Sequence, residues 1–185
     1  PIVAHEDSDT YVLETEEDKL FLVTNLNAPN KKLVTAYANR PTPNYWTDVI
    51  PETEHVLSIS NGSNYFFAEY MIDALSKVFQ YDYNGKLVRE IKLPADGSAG
   101  GFSGKRDQET LYYSFSNYHT PSSSFELNPK TGETSQYWTP EIDFDANDFE
   151  SKQVFYSSKD GTKVPLMITY RKGLELTGDT PTILY

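Results

Sequence analysis

Short apolar runs, broken by Gly, Pro and Asn-Gly pairs, recur along the chain, and three of them are offset copies of one another. Leu20-Phe21-Leu22, Tyr65-Phe66-Phe67 and Leu111-Tyr112-Tyr113 open the same kind of strand, at steps of 45 and 46 residues. A second strand follows each time and ends at Tyr37, Tyr81 and Leu127. A third stops at a proline: Asp48-Val49-Ile50 before Pro51, Ile91-Lys92-Leu93 before Pro94, and Tyr137-Trp138-Thr139 before Pro140. Proline suits a strand end, where no ladder donor is needed. Two further short strand candidates sit between these units. Val56-Leu57-Ser58-Ile59-Ser60 runs into an Asn61-Gly62 turn, and Gly100-Gly101-Phe102-Ser103-Gly104 precedes Leu111. Asn84-Gly85 and Thr131-Gly132 join second to third strands, and such pairs accept the positive φ of a tight hairpin turn.

About four strands per 45 residues is the spacing of a propeller blade. A single four-stranded meander cannot bury both its faces. It must pack face to face on a neighbour, and its inner strands then read almost continuously apolar, as Tyr65-Phe66-Phe67-Ala68 does. The aromatic stripe of Tyr65, Phe66, Phe67 and Tyr70 is accordingly read as blade packing, not as a ligand platform. A sandwich of about twelve strands competes with this reading, and the regular period argues against it. The expected fold is all-β: a partial β-propeller of about three four-stranded blades across residues 1–147. Closed propellers have about four to eight blades, so the chain reads as an arc of a larger ring. The absence of an initiator Met and of a signal-peptide pattern fits that expectation, with Pro1-Ile2-Val3 as the interior of a longer sequence.

After residue 147 the pattern changes. Phe155 to Tyr170 reads as a hairpin about Asp160-Gly161. A polar loop follows from Arg171, and Thr182-Ile183-Leu184-Tyr185 reads as a fresh buried strand. A hairpin followed by a short apolar strand can open the sheet of an α/β domain, so residues 148–185 are expected to be a linker and the first strands of one. Two stretches here carry a resemblance. Ser158-Lys159-Asp160-Gly161-Thr162-Lys163-Val164-Pro165, then Lys172-Gly173, then Pro181-Thr182-Ile183-Leu184-Tyr185, resembles the start of the peptidase domain in the prolyl oligopeptidase family. The segments Tyr37 to Pro51, Gly100 to Gly104 and Tyr112 to Pro121 resemble the later blades of that family's propeller. The resemblance implies a serine peptidase that cuts short peptides on the carboxyl side of proline, with basic-residue-specific relatives as the neighbouring option. It implies a seven-bladed propeller capping an α/β-hydrolase domain and screening its substrates. It implies a Ser-His-Asp triad and an oxyanion hole, whose residues would all follow Tyr185. No catalytic, cofactor-binding or metal-binding residue is therefore assigned to a position in this chain. The expected partners are short proline-containing peptides and the rest of the same protein. A stand-alone β-rich binding module for a glycan or a protein is the alternative.

Charge and composition narrow this further. Among 185 residues, 16 Lys and Arg face 27 Asp and Glu, a formal net charge of −11. Nucleic acid is thereby excluded as an expected partner, since binding it requires a basic stripe. The acidity is local: seven acids and no base in residues 1–18, five and none in 141–150. Both stretches read as solvated loops. No cysteine is present, which removes disulfides, thiolate metal sites and a Cys nucleophile but leaves the compartment open between cytoplasm and periplasm. No apolar run approaches the roughly 18 residues of a membrane span.

Several motifs come close to a site. Gly101-Phe102-Ser103-Gly104-Lys105 nearly spells a nucleophile elbow, and a triad of Ser103, His119 and Asp107 is conceivable. The second Gly stands one place early, and an ordinary interblade turn is the simpler reading. As a phosphate loop the stretch fails, because Arg106 follows Gly104-Lys105 and Ala99 stands where the first Gly belongs. Asp143, Asp145 and Asn147 match half a calcium loop, but Asp148 replaces the turn Gly and Val154 the bidentate Glu. His5, His55 and His119 lack metal-ligand spacing. Asn61-Gly62-Ser63 is an acceptor sequon, read as a turn.

Overall fold

The computed structural model of the chain describes Ile2 and residues 8–184. Three four-stranded antiparallel sheets follow one another, each a meander in sequence order. Sheet A holds β1 (Thr10–Glu16), β2 (Lys19–Thr24), β3 (Lys32–Tyr37) and β4 (Thr47–Ile50). Sheet B holds β5 (Ser58–Gly62), β6 (Tyr65–Ile72), β7 (Leu75–Asp82) and β8 (Leu87–Glu90). Sheet C holds β9 (Ser98–Gly100), β10 (Leu111–Ser116), β11 (Ser123–Leu127) and β12 (Thr134–Trp138). A two-stranded sheet, β13 (Phe149–Ser157) with β14 (Lys163–Arg171), completes the described part.

The packing explains the apolar runs. Successive side chains of a strand point to opposite faces. On β6, Phe66, Ala68 and Tyr70 enter a core with Phe21, Val23, Leu33 and Ile50 of sheet A. Phe67 faces the other way, into a core with Phe102, Leu111, Tyr113 and Phe125 of sheet C. The rings of Phe21 and Phe66 meet edge to face at 5.0 Å, and Phe102 stacks on Tyr113 at 4.6 Å. One strand thus serves two cores, and Phe66 and Phe67 are both fully buried. The aromatic stripe is packing, as its sequence indicated.

Turn chemistry falls where glycine allows it. Gly85, Gly132 and Gly161 have φ of +80°, +81° and +87° at the tips of the β7–β8, β11–β12 and β13–β14 hairpins. The Asn61-Gly62 turn, however, is not one. Both residues belong to β5, and the reversal is made by Ser63 and Asn64, at φ +53° and +62°. Gly62 is needed for space: a Cβ there would lie 2.8 Å from the Gly104 backbone nitrogen.

Three other expectations move. The strand foreseen at 100–104 is β9, two residues earlier; Gly101 at φ +98° ends it, and Phe102 turns into the core. The first acidic stretch is not all loop. Thr10–Glu16 is β1, and Leu13 packs against the core between sheets A and B while Glu14 is turned toward Asn61 of sheet B. The last expected strand, Thr182 to Tyr185, does not form over its described residues: 181–184 have no regular structure, Ile183 and Leu184 are exposed, and Tyr185 lies outside the described residues. A strand needs a ladder partner, and no other strand pairs with it among the described residues.

Candidate functional site at the blade ends facing the hairpin

The ends of sheets B and C that carry the β6–β7 turn and the β10–β11 loop meet the β13–β14 hairpin. Asn117 shapes the loop. Its side-chain oxygen accepts from the backbone of His119 at 3.1 Å and of Thr120 at 2.7 Å, and its amide donates to Asp96 O at 3.1 Å. His119 is thereby aimed at the hairpin, where Nδ1 lies 2.7 Å from Ser151 Oγ, which in turn lies 2.6 Å from Thr169 Oγ1. A second contact crosses at sheet B, where Gln153 Nε2 donates to Asp73 O in the β6–β7 turn. Register accounts for the grouping. Ser151 pairs with Thr169 and Gln153 with Met167, so all four share one hairpin face. Between turn, loop and hairpin lies a cleft of about 260 Å³ lined in part by Ala74, Gly97, Asn117 and Met167. That is below the roughly 300 Å³ at which small-molecule pockets begin. The arrangement is a joint between two parts of the chain.

The conceivable triad is not assembled. Ser103 and Asp107 lie in the β9–β10 loop, beyond one end of β10, and His119 lies beyond the other. The six residues of β10 between them extend over roughly 17 Å. His119 instead takes the hydroxyl partner described above. The half calcium loop is used locally: Asp145 accepts from Asn147 N at 2.8 Å, capping a short 3-10 turn over Ala146–Asp148. Among the described residues no three His, Cys, Asp or Glu side chains converge on a common point. His55 sits 3.6 Å from Glu54, and His5 lies outside the described residues. Asn61 is turned inward, with Nδ2 donating to Glu14 Oε2 at 2.8 Å.

Burial raises several ionisable groups in the packed region, Glu69 and Tyr70 most strongly. Burial pushes the Glu69 carboxyl on β6 up to about 7, opposed by the Ser60 hydroxyl. Burial also pushes Tyr70 up to about 12, helped by Tyr81 and opposed by a hydrogen bond with Thr53. Sequence reading missed Asn117, Ser151 and Gln153. No apolar-polar alternation marks Ser151 and Gln153 in the sequence; only the register of the finished hairpin puts them on one face.

Four-stranded meanders in sequence order, each face of the middle one packed on a neighbour, define an arc of a β-propeller. The family model for the prolyl oligopeptidase N-terminal β-propeller domain matches residues 1–140, and the chain belongs to that family. It is 50% identical over its whole length to a prolyl endopeptidase of Elizabethkingia meningoseptica and covers 26% of that protein. It is 34% identical to a prolyl endopeptidase of Dictyostelium discoideum, over 94% of this chain and 24% of the relative. The apo structure of prolyl oligopeptidase B from Galerina marginata superposes with a TM-score of 0.83 at 26% identity, over 94% of this chain and 26% of that one. The chain thus spans about a quarter of the length of the relatives it matches.

Proposed function

We propose that the chain is an internal piece of a prolyl oligopeptidase-type serine endopeptidase that hydrolyses short peptides on the carboxyl side of proline. In this reading residues 1–147 are its last propeller blades, which restrict access to bulky substrates. Residues 148–185 are the linker and opening strands of its α/β-hydrolase domain. The nucleophile, acid, base and oxyanion donors lie outside the chain, and the segment alone is inactive. The 50% identity to a prolyl endopeptidase along all 185 residues carries the proposal, because it continues past residue 140, where the propeller model stops.

The hairpin supports the division physically. Val154 pairs with Leu166 and Tyr156 with Val164, so the side turned away from the blade ends is apolar toward the hairpin tip, with Lys152 and Glu150 on the same face farther back. An isolated two-stranded sheet is marginal in water at best, and such a face calls for a further layer. A free-standing binding module accounts for neither this face nor relatives that are peptidases by name. The test is release of a dye from a blocked Gly-Pro substrate. The full-length protein is expected to release it and the 185-residue segment is not. Turnover by the segment, or none by the full-length protein on any proline-containing peptide, overturns the proposal.

A further inference from the structure

The loop Gly101–Thr110 between β9 and β10 folds over the β5–β6 turn of the neighbouring sheet and is fastened there. Ser63 N donates to Lys105 O at 2.9 Å, Gly104 N to Asn61 O at 3.0 Å and Asn64 Nδ2 to Arg106 O at 3.0 Å, while the Ser63 hydroxyl donates to Gln108 O. The loop therefore belongs to sheet C by sequence and is anchored on sheet B. From that platform the Arg106 side chain reaches sheet A. Nη2 donates to Thr15 O at 2.5 Å, Nε lies 3.4 Å from Glu14 Oε2, and Nη1 lies 3.7 Å from Glu16 Oε1. Glu14 Oε2 also accepts from Asn61 Nδ2 at 2.8 Å and from the Tyr83 hydroxyl at 3.4 Å. The guanidinium sits over the Tyr83 ring at 5.2 Å, and that ring stacks on Phe66 at 4.4 Å. The ionic cluster is thus rooted in the apolar core between sheets A and B.

A lone exposed ion pair contributes little. This one differs in that Glu14 is only 20% exposed and collects three donors from two different sheets. Arg106 adds a planar fork, which a lysine ammonium does not reproduce. The strands it joins are the first of their sheets. β1 lies beside β5, and the cluster sits at the blade ends remote from the β13–β14 hairpin.

We infer that Arg106 is a clasp that ties β1 of sheet A and the β5–β6 turn of sheet B to the β9–β10 loop of sheet C at the end remote from the hairpin, and that this clasp limits the size of peptide admitted there. The second half rests on the proposed gating role of the propeller; the first does not. The test is hydrogen exchange on the full-length protein with Arg106→Met, Arg106→Lys and Glu14→Gln. With Arg106→Met, exchange over Thr10–Glu16 and at Asn61-Gly62 is expected to quicken about tenfold through local opening, with β7 and the hairpin unchanged. Arg106→Lys should fall between wild type and Arg106→Met, and it carries the comparison if the Met variant does not fold. At about 1 M salt, where the screening length is roughly 3 Å, wild type should move toward the Arg106→Met pattern and the variant should not respond. Unchanged exchange in β1, or an equal rise across all three sheets, overturns the clasp. Size control is read from the rate on a long proline-containing peptide relative to a blocked dipeptide, expected to rise severalfold in Arg106→Met. An unchanged ratio alongside the expected exchange pattern overturns size control and leaves the tie standing.

Discussion

Replacing Glu69 by Gln should stabilise the protein, and only at high pH. Glu69 lies on β6 between Ala68 and Tyr70 and faces sheet C, with Oε2 3.3 Å from where a Cβ on Gly100 would stand. Burial raises its pKa from 4.5 in the unfolded chain to about 7 in the folded one. Below 4.5 both states hold the proton, and the group does not favour either. As pH rises from there to about 7 the unfolded state releases its proton first, so stability falls; above 7 the loss is complete. Each tenfold in acidity is about 1.4 kcal/mol, so the ceiling is about 3 kcal/mol, and the side chain's partial access to water brings the expectation to about 1.5 kcal/mol. Gln fills the same space without the charge. In urea denaturation, Glu69→Gln and wild type should coincide near pH 4 and separate in favour of the variant by about 1.5 kcal/mol near pH 8. A gap of the same size at every pH, or a variant less stable at pH 8, refutes burial as the cause.

Three further outcomes follow from the packing. Phe66→Ala and Phe67→Ala should each cost about 3–5 kcal/mol in chemical denaturation. Hydrogen exchange should then separate them, the first loosening sheets A and B and the second sheets B and C. Gly62→Ala should cost at least about 2 kcal/mol, since the added methyl meets the Gly104 backbone and cannot be relieved by a side-chain rotation; a neutral result would mean that the two sheets slide apart freely. Ala74→Gly should gain about 0.5–1 kcal/mol, because Ala74 holds φ +66° in the β6–β7 turn. A loss there would show that the Ala methyl packs usefully against the hairpin.

What the sequence revealed follows from what repetition makes visible. The second, third and fourth strands of each sheet carry Leu20, Tyr65 and Leu111 and their followers in the same order; Pro51 closes β4 directly, whereas β8 stops at Glu90, before the expected Ile91-Lys92-Leu93. First strands were harder, because they are polar or short: β5 reads Ser-Ile-Ser-Asn-Gly, β9 is only Ser-Ala-Gly, and β1 carries two glutamates. Glu14 and Glu16 made β1 look like a solvated loop, although Leu13 just before them reaches the core. Ser63-Asn64 took the turn that Asn61-Gly62 advertised, since backbone crowding at Gly62 outranks local turn preference. The joint at His119 could not be read from spacing, since its partner Ser151 is 32 residues away and meets it only once both sheets are built.

The meeting of Gly62 with Gly104 reaches beyond local fit. At Gly62 and Gly104 the two segments approach backbone to backbone, while Phe67, Val78 and Ile91 fill the core between sheets B and C. A gap with bare backbone at Gly62 and side chains across the rest is a wedge, and repeated wedges produce curvature. A single methyl at Gly62 would therefore act on the angle between two sheets as well as on stability.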